Sequence, residues 1–246
     1  MSQKPENAVI VTGSSRGIGR AVALHLAAEG FAVTVNYAGN RQAAEEVVAT
    51  ITAAGGRAIA VGADVSKTDD VSRLFDETEQ AFGAIHGLVN NAGVMFTKNI
   101  AETDDATFDR TFATNVRGPF LTMREAVKRL RDGGRIVNFS TSSTPLKIPG
   151  YATYCASKAA IEVYTAILAK ELRGRGITVN AVAPGPVGTE LFFEGKTPAQ
   201  IDHLAKLNPF ERLGEPDDIA RVVAFLLSSE AGWINGQTIR ANGGMV

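Results

Sequence analysis

A tyrosine and a lysine four positions apart could together move a proton. Tyr154 and Lys158 lie in a stretch with helical spacing, 151–173, so both side chains project from one face of a helix. A free tyrosine has a pKa of about 10, but a neighbouring ammonium favours the phenolate and lowers that pKa. Such a tyrosine could exchange a proton with a substrate oxygen. From spacing alone, the pair could also be a packed ring and a solvated charge.

Three glycines follow an apolar run that ends near Thr12, and they could hold a phosphate. They are Gly13, Gly17 and Gly19, and a helix-like run begins among them. Glycine weakens helices and strands, so this concentration indicates a close backbone approach. The free N–H groups of a helix start could bind a pyrophosphate there. Gly13 would make the tight turn, Gly17 would admit the phosphate and Gly19 would let the helix pack close to the strand. The stretch could also be only a tight connection.

The elements that must position these residues alternate between two kinds. Stretches with helical spacing separate short β-branched runs, so we expect right-handed βαβ crossovers and a doubly wound α/β fold with a parallel seven-stranded sheet. With 246 residues, 45% of them hydrophobic, the chain should form a single domain over 1–246. The β-branched runs are 8–12, 32–36, 57–62, 85–91, 135–140, 177–184 and 237–242.

Composition argues against several classes of function. The 25 Lys and Arg residues nearly balance 26 Asp and Glu residues, so nothing favours nucleic acid or an anionic membrane as partner. The start carries no basic segment followed by a long apolar stretch, and no apolar run approaches the roughly 18 residues of a membrane helix. We therefore expect a cytoplasmic protein. One cysteine and three scattered histidines predict neither a disulfide nor a metal site.

The least regular stretch, 185–215, directly follows the sixth predicted strand. Ligands of open α/β sheets bind beyond the carboxyl ends of the strands, so this excursion is placed to form a substrate lid over about 187–214. Its apolar side chains could wall a substrate pocket or could simply pack under the lid. These side chains are Leu191, Phe192, Phe193 and Phe210.

Several separated motifs lie along the chain: TGSSRGIG (12–19), NNAG (90–93), the lone Asn115, YCASK (154–158) and APGPVGT (183–189). In their order and spacing the chain resembles the short-chain dehydrogenases/reductases over essentially its whole length. Within that family, the pattern is most like the 3-oxoacyl-acyl-carrier-protein reductases and related ketoreductases. The resemblance implies a Rossmann-type fold and an oxidoreductase that transfers a hydride to or from a nicotinamide.

The resemblance implies a catalytic tetrad. Tyr154 would exchange a proton with the substrate oxygen while a hydride moves between nicotinamide and carbonyl carbon. Lys158 would hold the nicotinamide ribose and tune Tyr154, and Asn115 would retain a water linking Lys158 to solvent. The family's serine lies thirteen residues before the tyrosine, which is Thr141 here. Threonine keeps the hydroxyl but adds a methyl group. A one-residue slip would place Ser142 there instead.

Selection between NAD and NADP depends on charge near the adenosine ribose. An acid at the end of the second strand would bind the 2′-hydroxyl of NAD and repel a 2′-phosphate. Asn36 and Tyr37 stand there instead, and Arg16 in the glycine turn could pair with the phosphate. Asn40 or Arg41 could add a contact. These features favour NADP(H), although exposed arginines are commonly only solvated.

The remaining cofactor contacts follow from position within the family's motifs. Asp64 and Val65 resemble the adenine contact, and Val187 and Thr189 match positions that hold the carboxamide. The other implied contacts are Ser15, Ile18, Asn91, Ala92, Gly93, Pro184 and Gly185.

The substrate implied by the resemblance is a carbonyl compound or alcohol, with Ser142, Phe192 and Phe193 in its pocket. A 3-oxoacyl chain carried by a protein would need a basic docking surface. The basic segments 127–135 and 171–176 are expected near the carboxyl end of the sheet, although such residues are usually only solvated.

Two predicted helices, 106–131 and 151–173, are apolar over more than one stripe, which indicates covering on two sides. This suits the family's habit of forming homotetramers. Two other functions stay open: an NAD-linked alcohol or sugar dehydrogenase, and a nucleotide-binding sensor without turnover. Thr141 is the one feature that favours the sensor.

Overall fold

Seven parallel strands form the central sheet of the computed structural model, which describes residues 7–246. Their order is β3-β2-β1-β4-β5-β6-β7, so the direction of winding reverses between β1 and β4 and the predicted doubly wound fold is confirmed. The first six residues of the predicted domain lie outside the described residues. The strands are β1 Ala8–Val11, β2 Ala32–Tyr37, β3 Arg57–Gly62, β4 Ile85–Asn90, β5 Leu130–Phe139, β6 Thr178–Pro184 and β7 Thr238–Ala241.

Helices cover both faces of the sheet, which explains why the strands are almost continuously apolar. Alternate strand residues face opposite layers: Val9 and Val11 pack with α1, α2 and α10, whereas Ile10 packs with α3, α5 and α7. The helices are α1 Gly17–Ala28, α2 Arg41–Ala53, α3 Thr68–Phe82, α4 Asp105–Phe112, α5 Gly118–Arg129, α6 Ser143–Leu146, α7 Ala152–Glu171, α8 Glu190–Phe193, α9 Pro198–Ala205 and α10 Pro216–Leu227.

A chain of buried hydrogen bonds ties the central strands to α5 and α7. Thr122 Oγ1 donates to Asn90 Oδ1 at 2.6 Å, and Asn90 Nδ2 donates to Asn138 Oδ1 at 2.9 Å. Asn138 Nδ2 in turn donates to Thr165 Oγ1 at 2.9 Å. Buried polar groups that are all paired favour one arrangement of the elements. This chain therefore fixes α7 relative to β4 and β5.

The predicted helix over 106–131 is interrupted. A π turn, Ala113–Arg117, joins α4 to α5, and the Gly118 N–H donates to the Ala113 carbonyl five residues back. The helical run ends at Arg129, because β5 already begins at Leu130. Single π turns inside helices are frequent at functional sites. Here the inserted turn carries Asn115.

The two basic segments lie at the wrong end of the sheet for substrate docking. Segments 127–135 and 171–176 each join a helix to the strand that follows it, so they lie at the amino ends of β5 and β6. Two of their arginines are also engaged: Arg135 donates to main-chain carbonyls and Arg175 pairs with Asp132. The prediction that these segments lie near the carboxyl ends is wrong, because a link from helix to strand reaches the amino edge.

Among residues 7–246 no helix is long and apolar enough to cross a bilayer. Over the same range, no group of three His, Cys, Asp or Glu side chains is arranged to hold a metal ion. The predicted lid comprises α8 and α9, which follow β6.

Candidate active site

Tyr154 and Lys158 lie on the first turns of α7 and face the same cleft. Burial raises the pKa of Tyr154 to about 12, and a side-chain hydrogen bond with Thr141 offsets only part of that increase. Lys158 is 6% exposed, and its Nζ donates to the Phe139 carbonyl at 2.9 Å. Burial lowers the pKa of Lys158 to about 8. The expected lowering of the Tyr154 pKa by Lys158 is therefore wrong for this structure: burial dominates, and the ammonium binds a carbonyl instead of the phenol.

Three hydroxyl-bearing residues lie between β5 and α6, and among them the Thr141 hydroxyl interacts with the Tyr154 phenol. Thr141 Oγ1 also accepts the Ser143 N–H at 3.2 Å, which fixes its direction. Because its proton is free to point at Tyr154, this hydroxyl could also donate to an oxygen beside the phenol.

The neighbouring serine hydroxyls are used elsewhere. Ser140 lines the cleft, but its hydroxyl donates to Glu162 at 2.6 Å. Ser142 donates to the Ala183 carbonyl at 2.8 Å and accepts from Asn242 at 2.9 Å. Ser142 lines the cleft, but these bonds leave its hydroxyl without a proton to donate to a substrate.

Asn115 is fully buried in the π turn, and its side chain is hydrogen-bonded to the loop after β4. Its Oδ1 accepts the Val94 N–H and its Nδ2 donates to the Val94 carbonyl, both at 2.8 Å. Nδ2 also donates to Ser157 at 3.1 Å. A Cβ placed on Gly93 would lie 3.2 Å from Asn115 Oδ1 and 3.5 Å from Lys158 Nζ. Asn115 and Lys158 are therefore neighbours with only a glycine between them.

The glycine turn combines left-handed backbone with close packing. Gly13 and Gly17 have φ angles of +61° and +55°, which favour glycine. A Cβ on Gly19 would lie 2.5 Å from the Gly13 carbonyl oxygen and also against Asn91, so Gly19 packs on the turn itself and not only on the strand. Helix α1 begins at Gly17, and no side chain caps it. Its first N–H groups are thus free to bind the pyrophosphate of a dinucleotide.

The Asn36 side chain links the glycine turn to the sheet by hydrogen bonds. Its Oδ1 accepts the Gly13 N–H at 3.1 Å, and its Nδ2 donates to the Val61 and Ala63 carbonyls at 3.2 and 3.0 Å. The side chain is 1% exposed and fully bonded. The prediction that Asn36 contacts the adenosine ribose is therefore corrected: it holds the glycine turn to β2 and β3.

The other residues predicted near the adenosine show mixed placements. The Tyr37 ring lies over Gly62 at the end of β3. The Asp64 carboxylate accepts from the main chain and hydroxyl of Ser66, which shapes the loop before α3. Val65 is buried, so its side chain packs inside the fold.

Arg16 is the free cation next to the glycine turn. It is exposed, and it forms no ion pair with any residue between 7 and 246. The two other candidates are occupied: Asn40 caps α2 and Arg41 pairs with Glu45 at 2.7 Å. Arg16 thus remains the basic group available for a 2′-phosphate.

The cleft in front of Tyr154 has a volume of about 170 Å³. It brings together half of the predicted site residues, which are Ile18, Asn91, Gly93, Thr141, Ser142, Tyr154, Lys158, Pro184, Gly185, Val187, Thr189 and Phe192.

Three further predicted residues also do not line the cleft. Phe193 is 45% exposed and packs edge-on against Phe192, so its place in the substrate pocket is not supported. Ala92 packs beneath Gly13 and donates its N–H to Thr12 at 3.0 Å. Ser15 lies in the glycine turn outside the cleft.

Sequence analysis also missed residues that do line the cleft. Several surround the substrate side and carry no motif of their own, although two directly follow NNAG and two lie in the predicted lid. They are Val94, Met95, Ile148, Tyr151, Lys196, Leu204 and Met245.

Comparisons with known proteins agree with this geometry. The family model described as Enoyl-(Acyl carrier protein) reductase matches residues 13–246. A short-chain type dehydrogenase/reductase of Picea abies is 51% identical, with 96% of this chain and 91% of that protein aligned. An NADPH-dependent aldehyde reductase-like protein, chloroplastic, of Arabidopsis thaliana is 47% identical over 96% of this chain and 93% of its own. The crystal structure of the angucycline C-6 ketoreductase LanV with bound NADP superposes with a TM-score of 0.92 at 40% identity, covering 97% of this chain and 95% of that one.

Proposed function

The chain belongs to the short-chain dehydrogenase/reductase family, and we propose that it is an NADPH-dependent reductase that converts a ketone or aldehyde to an alcohol. When bound, NADPH supplies the hydride. The observation that carries the proposal is that the Tyr154 phenol and the Thr141 hydroxyl line one cleft and interact with each other. Two donors that converge on one point suit a carbonyl oxygen, which becomes negative as its carbon accepts a hydride.

In the proposed mechanism Tyr154 is the general acid. With a pKa of about 12 the phenol stays protonated near neutral pH, which suits reduction better than oxidation. The carbonyl oxygen gains the Tyr154 proton as the carbon gains the hydride, and Thr141 donates a hydrogen bond to that oxygen. Lys158, with Asn115 beside it, returns a proton towards Tyr154 after the product leaves.

The remaining chain groups would hold the cofactor. The N–H groups at the start of α1 would bind its pyrophosphate, and Lys158 would bind its nicotinamide ribose. Val187 and Thr189 line the cleft after β6, where they would hold the carboxamide. Asp64 and Val65 match the family's adenine contact. They would lie beside the adenine through the position of their loop and through main-chain atoms.

NADPH oxidation at fixed cofactor concentration tests the proposed function. We expect absorbance decay with aromatic aldehydes or diketones, and none with an α,β-unsaturated acyl thioester of the kind named in the matching family description. Turnover of the thioester alone would replace carbonyl reduction by reduction of a carbon–carbon double bond. NADPH binding without turnover of any substrate would favour the sensor.

The Arg16→Ala variant should weaken NADPH binding about tenfold and change NADH binding less than twofold. The reason is that the guanidinium would pair with the 2′-phosphate, which only NADPH carries. Fluorescence titration of both cofactors measures the effect. Arg20→Ala is the matched control, since Arg20 is equally exposed one turn further along α1. Equal weakening of both cofactors by Arg16→Ala would contradict the assignment.

NADPH affinity should fall several-fold between about pH 7 and about pH 9. Lys158 has a lowered pKa of about 8, so its ammonium is charged below that pH and becomes neutral above it. A charged lysine favours the anionic cofactor, and that contribution is lost as the pH rises. Titration of Lys158→Met should give weaker binding that is flat over this range. A wild-type affinity independent of pH would exclude Lys158 as a cofactor contact.

We also propose a cytoplasmic homotetramer that acts on small carbonyl compounds. Exposed Phe120 on α5, with Val163 and Ile167 on α7, would be covered by a second copy. Sedimentation of the purified protein tests the assembly, and a monomer at all concentrations would refute it. Carrier-bound substrates have lost their support, because the basic segments lie at the opposite edge of the sheet.

A further inference from the structure

Lys196 lines two neighbouring spaces that share wall residues. It lies in the loop between α8 and α9 and lines the inner cleft that holds Tyr154. It also lines an outer groove of about 610 Å³ between the lid and the loop after β4. Tyr151 and Leu204 line both spaces too. A substrate with its carbonyl at Tyr154 and its other end in the groove would lie beside these shared residues, and Lys196 is the one cation among them.

The Lys196 ammonium has donors to spare. Its Nζ donates to the Phe192 carbonyl at 2.7 Å and lies 4.9 Å from the centre of the Phe192 ring. It forms no ion pair within the described part of the chain, and an ammonium carries three N–H donors. Burial lowers the pKa of Lys196, and the charge of Glu194 opposes that shift. The group is thus partly dehydrated and not neutralised by a contacting carboxylate.

The inner cleft around it lacks negative charge. Among the described residues that line this cleft there is no Asp or Glu, and its cations are Lys158 and Lys196. Lys158 is bonded to the Phe139 carbonyl and would be used by the cofactor. Lys196 lies on the lid, and the same cleft is lined by the apolar side chains of Ile148 and Leu191. A partly dehydrated ammonium in such a site interacts strongly with an anion.

We propose that Lys196 selects carbonyl substrates that carry a carboxylate at the end remote from the reacting C=O. This proposal rests on the proposed reductase function and adds the substrate class. The apolar body of the substrate fills the inner cleft, and its carboxylate meets the free N–H groups of Lys196 at the mouth. Because Lys196 belongs to the lid, binding of the anion also holds the lid over the cleft.

A charge-matched pair of substrates tests the proposal. The aldehydes 4-formylbenzoate and 4-formylbenzamide have nearly the same shape, but only the first is an anion. We expect wild-type kcat/KM to favour the benzoate at least about tenfold and Lys196→Gln to bring the ratio close to one. Lys196→Arg should restore most of the preference, since it keeps the charge. The control is Lys206→Gln, whose lysine pairs with Asp202 at 2.7 Å and lines neither space, and this variant should keep the wild-type ratio.

Three results would overturn the proposal: a wild-type ratio near one, a ratio that Lys196→Gln leaves unchanged, or a loss in that variant that NADPH affinity fully accounts for. If neither aldehyde is reduced, the proposed function fails separately. Calorimetric binding of 4-formylbenzoate to the protein with NADP⁺ then decides the anion site alone. Weaker binding by Lys196→Gln supports the site, and equal or absent binding overturns it.

Discussion

The Tyr154→Phe variant should lose kcat for carbonyl reduction by about a thousandfold, while its NADPH affinity stays within about threefold of wild type. The substitution removes only the phenolic oxygen, so the ring still fills the cleft wall. The proton for the substrate oxygen then has no donor, and the Thr141 hydroxyl loses its neighbour. Single-turnover absorbance decay measures the chemical step, and fluorescence titration measures cofactor binding.

Tyr164→Phe provides the control for this variant. Tyr164 lies on the same helix but packs against Phe120 outside the cleft, with 6.1 Å between ring centres. Its hydroxyl is not part of the proposed proton path, so kcat should stay near the wild-type value. Normal turnover by Tyr154→Phe would refute the proposed mechanism, whatever the substrate.

The Gly19→Ala variant should bind NADPH up to about a hundredfold more weakly than wild type and unfold at a lower temperature. The added Cβ would lie 2.5 Å from the Gly13 carbonyl oxygen and 2.9 Å from Ser14 Cα, and these main-chain atoms must move. Overpacking of this kind costs about 1–3 kcal/mol. Because the strain falls on the cofactor turn, most of that energy should reappear as lost affinity.

In a helix, alanine is more favourable than glycine by about 1 kcal/mol. Helix propensity alone would therefore stabilise the Gly19→Ala variant, and any loss of stability must come from the clash. Gly39→Ala serves as the stability control, since a Cβ there meets nothing within 4 Å. Calorimetric unfolding should show no loss for that control. Wild-type affinity in a stable Gly19→Ala variant would mean that the turn does not depend on this close approach.

The sequence carried enough information for the sheet and for the shared helix face of Tyr154 and Lys158. The β-branched runs indicate strands that are buried on both faces. Tyr154 and Lys158 are an i, i+4 pair, and any helix places such a pair on one face. These features depend on local periodicity, which one sequence displays directly.

Features that depend on tertiary contacts were not predictable in the same way. The π turn at Asn115 adds one residue to a helical run without breaking its apolar pattern. Asn36 carries a side chain that suits either a ribose or a buried carbonyl, and only the fold shows that it meets β3. The direction of the Tyr154 pKa shift depends on burial, and the spacing of residues in a sequence does not reveal burial. The position of Lys196 beside the cleft depends on how the lid packs, so the sequence did not indicate it.

The bonds of Asn36 have a consequence for the thermodynamics of cofactor binding. Because Asn36 fastens Gly13 to two neighbouring strands, the phosphate-binding turn is ordered as soon as the sheet forms. Its conformational entropy is therefore lost during folding and not again during association. In the proposed cofactor complex, the N–H groups of the turn would already be in position for the phosphates, so this end of the cofactor would bind to a preorganised site.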